Sequence, residues 1–202
     1  MSSPRTATRH YWVAFRAMLV FTAVLGVAYP LAITLIGQFA LPAQANGSLV
    51  KSGTTTVGST LIGESFGDTK GKPLPEWFQP RPSAAGTGYD ASASSGSNWG
   101  PENKDLIKAI TERKKSIEQS DGVTADQIPA DALTASASGL DPHISPAYAL
   151  IQVTRIAKER GLPEAAVRAL VESRIQGRDL GYLGEPTVNV LELNLALAGL
   201  KG

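Results

Sequence analysis

The 202-residue chain contains no cysteine, only two histidines, and no acidic residue before Glu64. The absence of cysteine excludes a disulfide framework, a thiol nucleophile and a thiolate metal site. His10 and His143 lie on opposite sides of a long apolar stretch, which argues against a shared zinc site. The net charge of only +1 argues against a nucleic-acid partner, because proteins that bind nucleic acid carry clustered lysine and arginine.

Charge is also absent from residues 17–41, a stretch of 25 mostly apolar residues. At a rise of about 1.5 Å per residue, a helix of this length reaches about 37 Å, which exceeds the roughly 30 Å hydrocarbon core of a bilayer. A lone segment in lipid must satisfy its own backbone hydrogen bonds, so the stretch predicts one transmembrane helix.

Gly26 and Pro30 interrupt this predicted helix. Pro30 removes a backbone donor and crowds the carbonyl of Gly26, so we expect a kink. Thr22 and Gly26 form a small-xxx-small pair, which allows another helix to approach closely. We therefore predict a partner-helix contact at Thr22, Gly26 and Pro30. The alternative is that glycine and proline are simply common in membrane helices.

Positive charge flanks only one end of the apolar stretch, and no charged residue follows it until Lys51. The arginines that precede it are Arg5, Arg9 and Arg16. By the positive-inside rule, residues 1–16 are predicted to be a cytoplasmic tail and residues 42–202 an extracytoplasmic domain. Tyr11 and Trp12 lie where an interfacial aromatic belt is expected.

A cleavable signal peptide is the alternative to a retained anchor, since Ala43-Gln44-Ala45 matches an A-x-A cleavage site. The apolar stretch is much longer than the roughly 7–15 residues of a signal-peptide core, which favours the anchor. Both interpretations place the remaining domain across the membrane.

Residues 42–202 are predicted to form one α+β domain, because about 160 residues suffice for a single core. A β-branched strand at 54–62 contains Gly58, which indicates a bulge or a close backbone approach. The proline-rich segment 63–82 cannot be a regular helix and is interpreted as a loop pinned by two buried aromatic rings. Helices are predicted at 101–120, 146–160 and 163–175, and a strand at 187–189 leads into a final helix.

The segment 83–100 is rich in glycine, alanine and serine, and a long loop of this kind is usually functional or mobile. Its hydroxyls and backbone N–H groups at Ser95, Gly96, Ser97 and Asn98 make a weak candidate anion site. The loop lacks the lysine and the spacing of a P-loop. A turn that leads into a helix beginning at Pro101 explains the same residues.

Asp141, His143 and Ser145 lie within five residues, and a hydrolase triad is one interpretation. Triad residues normally come from separated segments, and the chain contains no G-x-S-x-G elbow. The alternative is structural, with a turn at Asp141-Pro142 and Ser145 as the N-cap of a helix that begins at Pro146.

Five segments of the chain together carry a resemblance to one protein family. They are Val57-Gly58-Ser59 with Leu61-Ile62-Gly63; Phe78 with Arg81-Pro82-Ser83-Ala84; Ser94-Ser95-Gly96-Ser97-Asn98 with Gly100-Pro101; Thr134-Ala135-Ser136 with residues 138–146; and Gly184-Glu185-Pro186 with residues 188–194. The chain resembles the KdpC family, the C subunits of bacterial Kdp potassium-transporting ATPases, over nearly its whole length. Two departures are Trp99, where an aliphatic residue is expected, and Ala137, where glycine is expected.

The resemblance implies a subunit of an inner-membrane complex. Its partners there would be a channel-like potassium subunit, a P-type ATPase subunit and a small single-span subunit, together with membrane lipid. In that family the C subunit is described as needed for assembly, and it is proposed to raise the ATP affinity of the pump subunit. The resemblance implies no catalytic residue, metal or bound cofactor in this chain, since ATP and potassium act at the level of the complex.

The residues themselves limit what this chain can do within such a complex. It lacks the Asp-Lys-Thr-Gly-Thr phosphorylation motif of P-type pumps and any Walker sequence. We therefore assign ATP hydrolysis to a partner subunit. The expected topology also holds the domain on the membrane face away from cytoplasmic ATP, which argues against direct nucleotide contact.

Within the domain, the candidates for partner contact come from the segments that carry the resemblance. They are Asp141, His143, Glu185, Asn189, Glu192 and Asn194. Two alternative functions remain open from the residues alone: an exported hydrolase anchored to the membrane, and a free anchored binding protein.

Overall fold

The computed structural model describes residues 4–200 of the chain. It divides between Leu49 and Val50 into two compact units, and each is described by itself. Helix and strand are both present, and a long apolar helix near the amino terminus precedes an α+β domain. The predicted fold class is therefore confirmed.

The first unit is almost entirely helical. It contains α1 (Pro4–Ala23), a π-helical turn (Val24–Ala28), α2 (Tyr29–Ala40) and the short α3 (Pro42–Ala45). Thr8–Ala40 is long and apolar enough to cross a membrane, and none of its most apolar window is buried in the structure. An exposed apolar surface of this size is typical of a membrane or protein interaction site.

The interruption predicted at Gly26 and Pro30 takes the form of the π-helical turn. Pro30 has no N–H, so it cannot donate to the carbonyl of Gly26 as the α-helical pattern requires. The backbone widens just before it, and the Tyr29 N–H donates to the carbonyl of Val24, five residues back. The helix then resumes, with the Thr34 hydroxyl donating to the carbonyl of Pro30 at 2.8 Å.

The second unit has two small sheets and several helices. Its strands are β1 (Leu49–Ser52), which begins at the boundary, β2 (Thr55–Ser59), β3 (His143–Ile144) and β4 (Val188–Asn189). Its helices are α4 (Lys104–Asp121), α5 (Ala130–Leu133), α6 (Pro146–Ile151), α7 (Val153–Arg160), α8 (Glu164–Ser173) and α9 (Val190–Gly199), with 3-10 turns at Ala91–Ala93 and Ala125–Gln127. β1 pairs with β2, and β3 pairs with β4.

Two predicted helices differ from the structure. The helix predicted at 101–120 begins only at Lys104, because the Asn103 side chain accepts hydrogen bonds from the backbone of the first turn and so caps it. The helix predicted at 146–160 is two helices with a break at Gln152. The Gln152 amide is fully buried there and binds the backbone carbonyls of Gln79 and Tyr148. The strand predicted at 187–189 and the helix after it are confirmed.

Gly58 in β2 shows the close backbone approach that its position in the sequence predicted. A Cβ at this residue would lie 2.1 Å from a carboxylate oxygen of Glu64 and 2.8 Å from a methyl carbon of Leu191. The φ of 157° is also one that residues with a side chain rarely adopt, so both space and backbone conformation require glycine.

The core of the second unit lies between the helices and the β3–β4 pair. Its buried members are Phe78, Ile117, Ile128, Ala132, Ile144, Tyr148, Ala149, Val153, Ile156, Ala157, Val167, Val171, Val188, Val190, Leu193 and Leu197. Burial of apolar surface at about 25 cal/mol per Å² makes this cluster the main source of stability.

The segment 60–90 contains no regular helix or strand, as expected for a proline-rich loop, and all of it is described. Phe78 is completely buried, and Trp77 packs against Phe66 and lies 4.2 Å from the Arg160 guanidinium. Arg155 donates to the carbonyls of Pro75 and Trp77. The loop is therefore held by aromatic packing and by arginines from α7. The predicted pinning by two buried rings is confirmed for Phe78, whereas Trp77 is only partly buried.

Arg155 offers a test of this arrangement, because its Nε lies 2.7 Å from an Asp121 oxygen and both side chains are less than 10 % exposed. Arg155→Met leaves a buried carboxylate without its partner, so the free energy of unfolding should fall by about 3–5 kcal/mol. Urea unfolding of the full chain in neutral detergent, followed by near-UV circular dichroism, measures the change.

The matched control is Arg168→Met, which breaks an exposed pair with Glu164 on α8. Exposed pairs contribute little, so this variant should lose less than about 1 kcal/mol. Equal losses in the two variants would contradict the role assigned to Arg155.

Candidate functional site

The β3–β4 pair brings together two segments that are far apart in the sequence and that carry most of the predicted contact residues. The strands are antiparallel, with His143 opposite Asn189 and Ile144 opposite Val188. The Val190 N–H donates to the carbonyl of Pro142 at 2.9 Å and extends the pairing by one bond. We call this region, residues 141–145 and 188–194, the β3–β4 corner.

An ionic group lies at the edge of the corner. The Arg81 guanidinium is 3.0 Å from one Asp141 oxygen, and the backbone N–H of His143 donates to the other at 3.0 Å. The His143 ring nitrogen Nδ1 lies 3.7 Å from that second oxygen. Burial alone would raise the pKa of Asp141, but the bonds from His143 and Arg81 outweigh it and hold the pKa below its usual range.

The loop before Asp141 is organised by two serine hydroxyls. Ser136 Oγ accepts the N–H groups of Gly139 and Asp141 at 3.0 and 3.3 Å. Ser83 Oγ donates to the carbonyl of Gly139 at 2.6 Å and accepts the N–H of Tyr89. These bonds orient the Asp141 carboxylate towards Arg81, so the group is rigidly supported.

Tyr89 also supports the ionic pair of Arg81 and Asp141. Its hydroxyl donates to the carbonyl of Arg81 at 2.6 Å, and burial next to Asp141 raises the pKa of the phenol. The phenol therefore remains a neutral donor over the physiological pH range.

Ser145 does not have the surroundings of a catalytic nucleophile. Its hydroxyl donates to an Asp131 oxygen at 2.9 Å and accepts the N–H of Tyr148, which makes it the N-cap of α6. Within residues 4–200, no hydrogen bond joins Ser145 to His143. A nucleophile needs a base within hydrogen-bond reach, so the geometry gives the hydrolase interpretation no support. The predicted N-cap is confirmed.

Asn189 and Asn194 lie inside the domain, 2 % and 1 % exposed. The Asn189 amide donates to the carbonyl of Thr60, and its oxygen caps α9 by accepting the N–H of Glu192. The Asn194 amide binds both the N–H and the carbonyl of Phe78, at 2.9 and 3.0 Å. Both amides are committed to intramolecular bonds, so their prediction as partner contacts gains no support from the geometry.

The remaining predicted contact residues are more accessible. Glu185 is exposed and its carboxylate lies 2.5 Å from the Arg178 guanidinium, while Glu192 is half-buried in the first turn of α9. Asp141 and His143 are each about a third exposed at the side chain. In the first unit, Thr22, Gly26 and Pro30 are all exposed. These seven residues stay predictions of partner contact.

The Ser95–Asn98 stretch, predicted as a weak anion site, packs against the loop before Asp141. A Cβ at Gly96 would lie 2.7 Å from the carbonyl of Ala137, so this backbone approach is close. The hydroxyl of neighbouring Ser94 donates to the carbonyl of Ser138 at 2.9 Å, and that of Ser95 donates to the carbonyl of Gly96. The contacts explain the small residues as packing between two loops, and the anion site stays a weak prediction.

Sequence reasoning missed Arg81 and Tyr89 as members of this site. Arg81 meets Asp141 across 60 positions of sequence, and one sequence contains no pairing signal over that distance. The described residues also contain no group of three or more histidine, cysteine or acidic side chains that could hold a metal ion.

In the described residues, one helix long and apolar enough to span a membrane precedes an α+β domain, an arrangement compatible with a membrane-anchored protein. Residues 11–199 match the family model described as "KdpC: K+-transporting ATPase, c chain". The chain belongs to the KdpC family, and it is thus a subunit of a potassium-transporting ATPase complex.

Three relatives illustrate the similarity, and each is called potassium-transporting ATPase KdpC subunit. The Kineococcus radiotolerans protein is 54% identical over 180 residues, which cover 89% of this chain and 88% of that protein. The Beijerinckia indica protein is 50% identical over 189 residues, covering 94% and 93%. The Methylococcus capsulatus protein is 47% identical over 193 residues, covering 95% and 98%.

The depressed pKa of Asp141 predicts a dependence of stability on pH. A carboxyl whose pKa is lower in the folded state stabilises the fold above its unfolded pKa, and that contribution is lost as pH falls through the folded value. Asp141→Asn should therefore be less stable than the parent chain at pH 7. The difference should shrink as pH falls below about 4, the ordinary range of aspartate.

The experiment compares free energies of unfolding of the full chain in detergent at pH 7 and at several values below 4. Glu159→Gln serves as the control, because Glu159 is exposed on α7 and makes no ion pair in the described part of the chain. A destabilisation by Asp141→Asn that stays constant down to the lowest pH would contradict the electrostatic account.

Proposed function

We propose that the chain is a non-catalytic subunit that assembles and stabilises the channel-like and ATPase subunits of a high-affinity potassium uptake complex. The observation that carries this proposal is the family match, which spans both the apolar helix and the domain. The lack of a phosphorylation motif and of a Walker sequence supports an accessory role, as does the capping role of Ser145. ATP hydrolysis then belongs to the partner P-type subunit.

The apolar helix serves, in this proposal, as a retained single-pass anchor in the bacterial inner membrane. Residues 1–16 form a cytoplasmic tail, residues 17–41 span the bilayer, and residues 42–202 lie outside. An aromatic and cationic group at one end of the span supports this orientation: Trp12 stacks on Phe15 at 5.9 Å, and the Arg16 guanidinium lies 5.2 Å from the Trp12 ring. Aromatic rings are enriched at both membrane interfaces, whereas arginine next to a span is typical of the cytoplasmic side.

The anchor is also a docking surface for a partner helix. Gly26 lies in the π-helical turn, and a Cβ there would meet only Thr22, at 3.9 Å. Space of this kind allows the backbone of a second helix to approach, and small residues drive helix packing in lipid where the hydrophobic effect does not. The channel-like subunit, the ATPase subunit and the small single-span subunit are the candidates for this contact.

In this proposal, the chain raises the ATP affinity of the pump subunit through its contacts in the membrane. It does not do so through nucleotide bound to its own domain. The domain and cytoplasmic ATP lie on opposite faces of the membrane in the proposed topology. The Ser95–Asn98 stretch also packs on its own domain. The two alternatives are an anchored hydrolase and a free binding protein. Loss of hydrolytic turnover in His143→Ala would support the hydrolase, and stable recovery of a multispan partner would exclude the free binding protein.

A topology reporter tests the orientation. Alkaline phosphatase, which is active only outside the cytoplasm, and a fluorescent protein that matures only in the cytoplasm are each fused after Gly202. The phosphatase fusion should be active and the fluorescent fusion dark, because the arginines precede the span. The opposite pattern would overturn the orientation and reopen direct nucleotide contact.

Gly26→Leu tests the docking surface. The leucine fits within the isolated chain but blocks close approach of a second helix, so recovery of the multispan partners from potassium-limited membranes should fall about tenfold. Ala32→Leu is the matched small-to-large control on an exposed position of α2 and should leave recovery unchanged. Unchanged recovery with Gly26→Leu would contradict the proposed surface.

A further inference from the structure

A cavity of about 630 Å³ opens inside the second unit, and Arg81 and Tyr89 of the Asp141 group are part of its wall. Four parts of the fold line it: one face of α4, Ala132 of α5, the α6–α7 helices, and the irregular segment from Ser65 to Tyr89. Its volume is within the range of small-molecule sites, roughly 300–1,000 Å³. Neither the family match nor the proposed assembly role accounts for a cavity at this place.

The charges that line the cavity are strongly unequal. Its cationic residues are Lys72, Arg81, Arg113 and Arg155, whereas Asp121 is its one acidic residue. Asp121 is neutralised by Arg155 at 2.7 Å, and Arg81 is paired with Asp141. In the part of the chain that is described, Lys72 and Arg113 have no carboxylate within ion-pair distance, so two positive charges remain uncompensated.

Arg113 projects from α4 with most of its donors unused. Nη1 donates to the carbonyl of Leu133 at 2.7 Å, and this is the one acceptor that the described residues supply to the guanidinium. Burial lowers the pKa of Arg113, although the neighbouring Glu112 opposes the shift. A guanidinium that is partly desolvated and makes no direct ion pair is costly to the fold unless an anion binds to it.

Tyr148 adds an unpartnered hydroxyl to the same wall. The residue is 5 % exposed and lines the cavity, and its hydroxyl has no hydrogen bond to any residue in 4–200. Burial raises the pKa of this phenol, so it remains a neutral donor. Among the described residues, Arg81 Nε is the one fully buried side-chain polar atom without a partner. The Tyr148 hydroxyl is instead open to the cavity, where it can donate to a bound oxyanion.

We propose that the cavity binds a small oxyanion, a phosphate or phosphate monoester, through Arg113, Lys72 and the Tyr148 hydroxyl. Two uncompensated cations match the charge of −1.5 to −2 on a phosphate monoester near neutral pH better than the single charge of a carboxylate. The ligand is either free phosphate or the phosphate of a glycerol headgroup, since both present the same group. This inference does not depend on the orientation of the anchor.

Calorimetric titration of the full chain in neutral detergent tests the proposal, at constant ionic strength. Inorganic phosphate and glycerol 3-phosphate are the two probes. At least one should bind saturably with one site per chain, and tighter binding of one or the other identifies the source of the phosphate. The absence of saturable binding by both probes would overturn the proposal.

Two variants test whether Arg113 and Tyr148 bind the probe. Arg113→Gln removes a charge-assisted bond and should weaken the better probe about tenfold or more, while Tyr148→Phe removes only a hydroxyl and should weaken it about threefold to tenfold. The matched controls are Arg168→Gln and Tyr182→Phe, which change exposed residues outside the cavity and should leave the affinity unchanged.

Near-UV circular dichroism of each variant reports whether it folds. Tyr148→Phe keeps the buried ring, so it carries the test by itself if Arg113→Gln does not fold. Equal weakening by Arg168→Gln would show that the probe responds to surface charge in general and would overturn the assignment. Unchanged affinity in Tyr148→Phe and in a folded Arg113→Gln would overturn it as well.

Discussion

The second unit depends on one constraint: the segment 60–90 has no regular secondary structure, so its buried backbone groups need partners from elsewhere in the domain, and several of these are side chains. Asn194 binds the N–H and carbonyl of Phe78, and Gln152 does the same for Gln79. Arg155 donates to the carbonyls of Pro75 and Trp77, and Arg160 donates to the carbonyl of Glu76. An unsatisfied buried backbone group costs about as much as a lost hydrogen bond, so these few side chains decide where the loop lies.

The same constraint explains why so many polar side chains, in the segments that carry the resemblance to the KdpC family, form hydrogen bonds within the domain. Ser136 and Ser83 organise the loop before Asp141, Ser145 caps α6, and Asn189 ties α9 to Thr60. Residues that resemble a hydrolase triad in the sequence are thus occupied in holding turns and helix ends. The accessible polar groups are those at the edge of the β3–β4 corner and those in the cavity beside α4. A non-catalytic subunit that contacts partners is consistent with this division.

Much of this organisation could be predicted from sequence, because it rests on local signals. Charge and length predicted the apolar helix, Pro30 predicted an interruption, and Ser145-Pro146 predicted a helix start. One error was local, because the Asn103 side chain caps α4 and so sets its start. The other was not, because the helix breaks at Gln152, whose side chain binds a loop 73 positions away in the sequence. The Arg81–Asp141 pair, the Arg155–Asp121 pair and the cavity could not be predicted, since each joins residues tens of positions apart. Such contacts exist only once the chain has folded.

The central claim is that this chain holds the other subunits of the complex together without catalysing the reaction itself. The most direct measurement purifies the ATPase subunit from potassium-limited cells that lack this chain, and again after the chain is restored, and determines subunit composition by native mass spectrometry. The account predicts that the channel-like subunit is lost from the preparation without this chain and returns with it. Recovery of the same complex, with undiminished ATP-driven potassium uptake, in cells that lack the chain would contradict the account.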